Sequence, residues 1–148
     1  MSKRVSILIA VLVMVVLLST AIAVIGLYSG NTAVPNPVTK PFAFNLNTNP
    51  NNGTVLQAQN LTIQVDTTYL EGQPEPITLQ ASGGPNGTLY QFSNQTGTPN
   101  HRQQFSSLLT IVTPDTATSE TYIITISATT NNTKNQALFN LTIINSQI

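Results

Sequence analysis

The chain has no cysteine, no tryptophan and a single histidine, and only 7% of its residues are charged. Without cysteine there is neither a disulfide framework nor a thiolate metal site, so the fold must hold by packing alone. The one histidine, His101, lies in the polar run Pro99-Asn100-His101-Arg102-Gln103 with no carboxylate near it in sequence. It cannot anchor a zinc site, which needs three or four ligands, and it is expected to be a solvated loop residue rather than a general base. No metal site, cofactor site or catalytic group is expected, and the chain reads as no enzyme.

Scarcity of charge excludes more. Beyond the first four residues the chain carries Lys40, Arg102 and Lys134 against Asp66, Glu71, Glu75, Asp115 and Glu120, a net charge of −2. Nucleic acid is excluded as a partner, because a binding surface for it needs a basic stripe to neutralise phosphates. The acids stand in separate loops, Glu71 and Glu75 in one and Asp115 and Glu120 in another. A sandwich would place those loops at opposite ends, so they would not pool into a calcium cage of six to eight oxygens. Lys40 and Lys134 are expected outside the core, as solvated lysines rather than partners in an isopeptide crosslink.

What the chain does have is one long apolar run. Residues 5–28, VSILIAVLVMVVLLSTAIAVIGLY, contain no charge. As a helix rising about 1.5 Å per residue they would cover roughly 36 Å, enough to cross a hydrocarbon core of about 30 Å with some tilt. Lys3 and Arg4 precede the run and no basic residue follows until Lys40, so the charge bias keeps residues 1–4 in the cytoplasm and sends the rest outside. Three readings fit: an uncleaved single-pass anchor in the lipid bilayer, a secretory signal cleaved at the small residues Ala21 and Ala23, or a pilin-type leader. The layout of basic start, apolar helix and β-rich head is similar to that of archaeal type IV pilins, although Arg4-Val5-Ser6 departs from a basic-then-glycine processing site.

Residues 29–41 carry Pro35, Pro37 and Pro41 with no apolar period, an extended spacer. From residue 42 the period becomes two, and roughly 118 residues beyond the apolar run suffice for one core. Inward sets are Phe42, Phe44 and Leu46; Leu61, Ile63 and Val65; Ile77, Leu79 and Ala81; Thr88, Tyr90 and Phe92; Ser107, Leu109 and Ile111; Tyr122, Ile124, Ile126 and Ala128; and Ala137, Phe139, Leu141 and Ile143. Turn residues separate them, among them Asn49-Pro50-Asn51-Asn52-Gly53, with Val55 and Leu56 a short apolar step after it. The expectation is a mostly β, seven-stranded antiparallel sandwich over 42–148, preceded by one N-terminal helix.

The runs ITLQASGGPNGTLYQFSNQTGTP, SSLLTIVTP, ETYIITISATT and ALFNLTII resemble the immunoglobulin-like sandwich modules of archaeal and bacterial cell-surface proteins. The resemblance covers about residues 42 to 144. That pattern has glycine two residues before the strand-opening tyrosine, whereas here Glu120 precedes Tyr122. The likeness implies a fold and an extracellular setting, and no ligand residues, since such modules serve as spacers, adhesins and filament heads by turns. At Tyr122 a tyrosine corner and a rim-facing core aromatic are both open readings.

The N-x-Thr glycan-acceptor pattern occurs at Asn52, Asn60, Asn86, Asn94, Asn131 and Asn140. In a chain this rich in Asn, Thr and Ser, chance would place roughly three or four such patterns, so placement carries the argument. Asn52, Asn86, Asn94 and Asn131 fall in predicted turns, and Asn60 and Asn140 on the outward parity of their strands. The functions that fit are a membrane-anchored, glycosylated display module for adhesion or envelope contact, or a structural filament subunit that self-assembles through its helix or a donated strand. A secreted binding module follows if the signal is cleaved. The partner expected is a protein or glycan surface, or the chain's own copies.

Overall fold

The computed structural model describes residues 39–145. The segment 5–28 with Ala21 and Ala23, the start 1–4 and most of the spacer 29–41 lie outside the described residues.

Nine strands run in the order β1 (Ala43–Asn49), β2 (Asn52–Leu56), β3 (Asn60–Glu71), β4 (Ile77–Gly83), β5 (Leu89–Phe92), β6 (Thr96–Gly97), β7 (Phe105–Val112), β8 (Thr121–Thr129) and β9 (Lys134–Ile144) among the described residues. They form a four-stranded sheet ordered β1-β3-β7-β5 and a five-stranded sheet ordered β2-β9-β8-β4-β6. The expected count of seven is thus corrected to nine, and the expected antiparallel character to mostly antiparallel, because β2 pairs with β9 in parallel. Both extra strands escape a period-two reading. β6 has two residues, too few to show alternation, and β2 contributes one buried side chain, Val55. The parallel pair joins Asn52 to Asn140, partners far apart in sequence that no local pattern connects.

The turn expected around Asn49 to Gly53 is instead a crossing between sheets. β1 ends at Asn49, the Asn49-Pro50 peptide is cis, and by Asn52 the chain has joined the other sheet. Asn52 is therefore a strand residue.

Inward parity produces the core. Phe44, Ile63, Val65, Ile77, Leu79, Leu109, Ile111, Ile124, Ile126, Phe139, Leu141 and Ile143 are buried between the sheets. Each such side chain contributes about 1.5–3 kcal/mol on burial, which is how a fold without disulfides holds. Two of the buried hydroxyls are tied to backbone carbonyls. Thr113 Oγ1 donates to the carbonyls of Gln59 at 2.8 Å and Leu56 at 3.1 Å, and Thr67 Oγ1 donates to that of Phe105 at 3.1 Å.

The first strand pairs with β3 inside its own sheet, with Phe44 and Leu46 buried. The sandwich has its edge strand, so a donor from a neighbour is not required to complete it. Beside β1, Thr133 Oγ1 and Asn135 Nδ2 donate to the carbonyls of Phe42 and Phe44, covering part of an edge that would otherwise invite pairing. Tyr122 bonds back to Thr118, hydroxyl to hydroxyl at 2.6 Å and to its carbonyl at 3.4 Å, as a tyrosine corner does.

Candidate interaction surface

Among the described residues one ion pair, Lys40 with Glu71, joins groups of acid and base chemistry. His101 is exposed on the β6–β7 loop, its ring edge-on to Tyr69 with centroids 6.4 Å apart. Lys40 is exposed as expected, and its Nζ bonds Glu71 Oε2 at 2.8 Å, which raises the lysine's pKa. Asp66 accepts from Gln64 at 2.9 and 3.0 Å and from Ser106 at 2.5 Å on the outer face of the first sheet. Glu75 has its Oε2 buried without a partner. At the opposite end of the sandwich, hydrogen bonds from the Tyr122 and Thr118 hydroxyls hold Glu120 below the usual carboxylate range. Among the described residues no three His, Cys, Asp or Glu side chains group to hold a metal ion. The surface depressions are open and polar, one of them lined by Asn94, Thr98, Gln103, Gln104, Phe105 and Ser106.

All six acceptor asparagines are exposed. Asn86, Asn94 and Asn131 lie between strands, in the β4–β5, β5–β6 and β8–β9 connections. Asn60 opens β3, and Asn52 and Asn140 stand on β2 and β9. Register then unites two of them: Asn52 is the Cα partner of Asn140, and Thr54, completing the first acceptor pattern, is the partner of Thr142, completing the second. Both patterns occupy one patch of the second sheet's outer face.

Sequence reasoning passed over what surrounds that patch. Ile123, the partner of Asn140 on β8, is 59% exposed, and Leu138, two residues before Asn140 on the same face, is 60% exposed. Leu56 and Ile144, register partners at the end of the same face, are 41% and 43% exposed. Between them lie Thr54, Thr142 and Thr121, the last two bonded through their hydroxyls at 3.0 Å. The signal was present in the alternation: Ile123 and Leu138 are large apolar residues on the polar parity of their strands. Among the outward residues of this sheet only Lys134, at its far end, carries charge. Apolar side chains on a face nearly free of charge have the composition of a contact surface.

The strand order and two facing sheets define a mostly β sandwich of the immunoglobulin type. No family model matches the chain, and no curated protein sequence matches it. Among solved structures it is similar to domains 1–6 of the surface layer protein SbsC, with a TM-score of 0.53 and 12% identity over 73% of this chain and 14% of that one. A family 123 glycoside hydrolase from Clostridium perfringens gives a TM-score of 0.51 and 10% identity, over 72% of this chain and 28% of that one. Domains 4 and 5 of the S-layer protein SbsC give 0.48 and 15%, over 74% of this chain and 54% of that one. The chain thus spans about half or less of each of these chains, and at such identities the likeness is one of fold.

Proposed function

We propose that this chain is a non-enzymatic structural subunit of a cell envelope, whose copies pair laterally through one face of the outer domain. In this reading residues 1–4 stay in the cytoplasm, 5–28 span the membrane, 29–41 form a stalk and 42–148 stand outside as the assembling head. The observation that carries it is the second sheet's outer face, where Ile123, Leu138, Leu56 and Ile144 lie exposed among uncharged Thr, Asn, Gln and Ser. Two identical faces of this kind can meet without like-charge repulsion, which favours self-association over a charged foreign partner. A fold shared with domains of a surface layer protein supports the same setting. The completed first sheet favours face-to-face packing over donation of a strand.

The test is the intact mass and sedimentation of the full chain extracted from its own cells in detergent. Full-length protein in concentration-dependent oligomers that dissociate on Ile123→Asp with Leu138→Asp supports an anchored, self-assembling subunit. Full-length protein that stays monomeric even after its glycans are removed makes it a display or adhesion module instead. Loss of the first few residues indicates a pilin-type subunit, and loss of about two dozen indicates a secreted module.

A further inference from the structure

We propose that Asn52 and Asn140 form a single modification site, which accepts at most one N-linked glycan per molecule over the Ile123–Leu138 patch, so that glycosylated copies are held apart while bare copies associate through that face. The proposal rests on the lateral-contact reading above for its consequence, and on separate geometry for the site.

The two asparagines come together only in the fold. In the parallel β2–β9 pair they are Cα partners on neighbouring strands, about 4.8 Å apart, and side chains at such positions rise from the same face of the sheet. Both are exposed, and the amide of Asn52 is turned toward Asn51 Oδ1 at 3.0 Å. A branched, hydrated oligosaccharide on either one fills the space above the other. The remaining acceptors have no such neighbour: Asn86, Asn94 and Asn131 lie in separate connections, and Asn60 belongs to the first sheet.

The ground beneath the glycan is apolar on one side. Ile123 flanks Asn140 across the β8–β9 pair, and Leu138 precedes it on the same face. The C–H faces of a pyranose ring can lie against these side chains while its hydroxyls stay in water, so a sugar shields surface that a second copy would otherwise bury.

The chemistry is a transfer from a lipid-linked, phosphate-activated oligosaccharide, the co-reactant this site requires. Asn Nδ2 forms a bond to the anomeric carbon of the sugar as that carbon's bond to the phosphate oxygen breaks. Nδ2 gives up one proton and the lipid phosphate departs as an anion, with no change in oxidation state.

The experiment expresses the full chain in its own cells with N60Q, N86Q, N94Q and N131Q, leaving only the pair, and reads intact mass. Molecules bearing at most one glycan are expected, with one glycan retained when N52Q or N140Q is added singly and none when both are added. A species carrying two glycans overturns the proposal. A pair left bare overturns it as well, and wild-type glycopeptides at Asn86, Asn94 or Asn131 then show that glycosylation itself stands. Should the four substitutions impair folding, wild-type glycopeptide occupancies decide: those at Asn52 and Asn140 must not sum to more than one per chain. Hydroxyl-radical footprinting of the separated forms should show oxidation at Ile123 and Leu138 lost in the glycoform and unchanged at Leu89 and Leu108 on the other sheet. Equal oxidation in both forms overturns the shielding. In sedimentation the glycoform should stay monomeric while the bare form associates. An associating glycoform overturns the control by glycan, whereas a bare form that never associates overturns the lateral-contact reading and leaves the single-glycan site intact.

Discussion

Ala58 holds a φ of 58° in the turn between β2 and β3, a conformation that costs an L-residue about 1–2 kcal/mol. Ala58→Gly is expected to relieve part of that and stabilise the fold by up to about 1 kcal/mol in denaturant unfolding, the gain being offset by glycine's looser unfolded chain. Gly72 is the converse case. Its φ is +87°, and a Cβ there would stand 2.3 Å from the Pro41 carbonyl oxygen, so Gly72→Ala should destabilise by about 1–3 kcal/mol. Tyr90 carries a pH dependence. Its hydroxyl donates to the Gly83 carbonyl, and burial pushes its pKa above the ordinary 10.0. A phenol whose folded value exceeds its unfolded one contributes stability that is complete below the unfolded value and falls as pH rises from there through the folded value. Unfolding free energy should therefore decline above pH about 10, and Y90F should flatten that decline, as read by urea titration across pH 8 to 11.

At the scale of an element, β2 is the informative one. The bonds from Asn140 N to the Asn51 carbonyl and from Gln57 N to the Ile144 carbonyl set which β2 groups face β9. In a parallel ladder those are the backbone groups of Gly53 and Val55, while those of Thr54 face the open edge. Val55→Pro should therefore remove a ladder bond and cost about 3 kcal/mol or more, whereas Thr54→Pro, on the free side, should cost far less. Equal losses from the two would mean the register of β2 differs. The alternation of β3, β4, β7, β8 and β9 was legible because each is half-buried and long enough to show its period. β2 and β6 were not, since a strand of five or two residues is held by its partner rather than by its own pattern.

For the molecule as a whole, the scarcity of charge on the second sheet's outer face sets how association responds to solution conditions. Added salt shortens the Debye length, about 10 Å at 0.1 M, and so weakens contacts between exposed charges, but it does not weaken apolar contact. Self-association of the bare protein should hold or strengthen between low salt and about 0.5 M sodium sulfate, which drives burial, and should be lost in I123D/L138D. A steep weakening with sodium chloride would point to a contact made through Lys40, Arg102 or the acidic loops instead.

The amino-acid sequence by itself determined the β class, the inward set from Phe44 to Ile143, and the outward parity of Asn60 and Asn140. Each of these is a local property, carried by a period of two. It could not determine that β2 crosses to the second sheet, that Asn52 lies beside Asn140, or that Ile123 and Leu138 share a face with both. Those depend on pairing between segments far apart in the chain, where the choice of neighbour is made by the packing of the whole core. The tertiary structure alone decided them, and with them the surface on which the proposed assembly and its glycan meet.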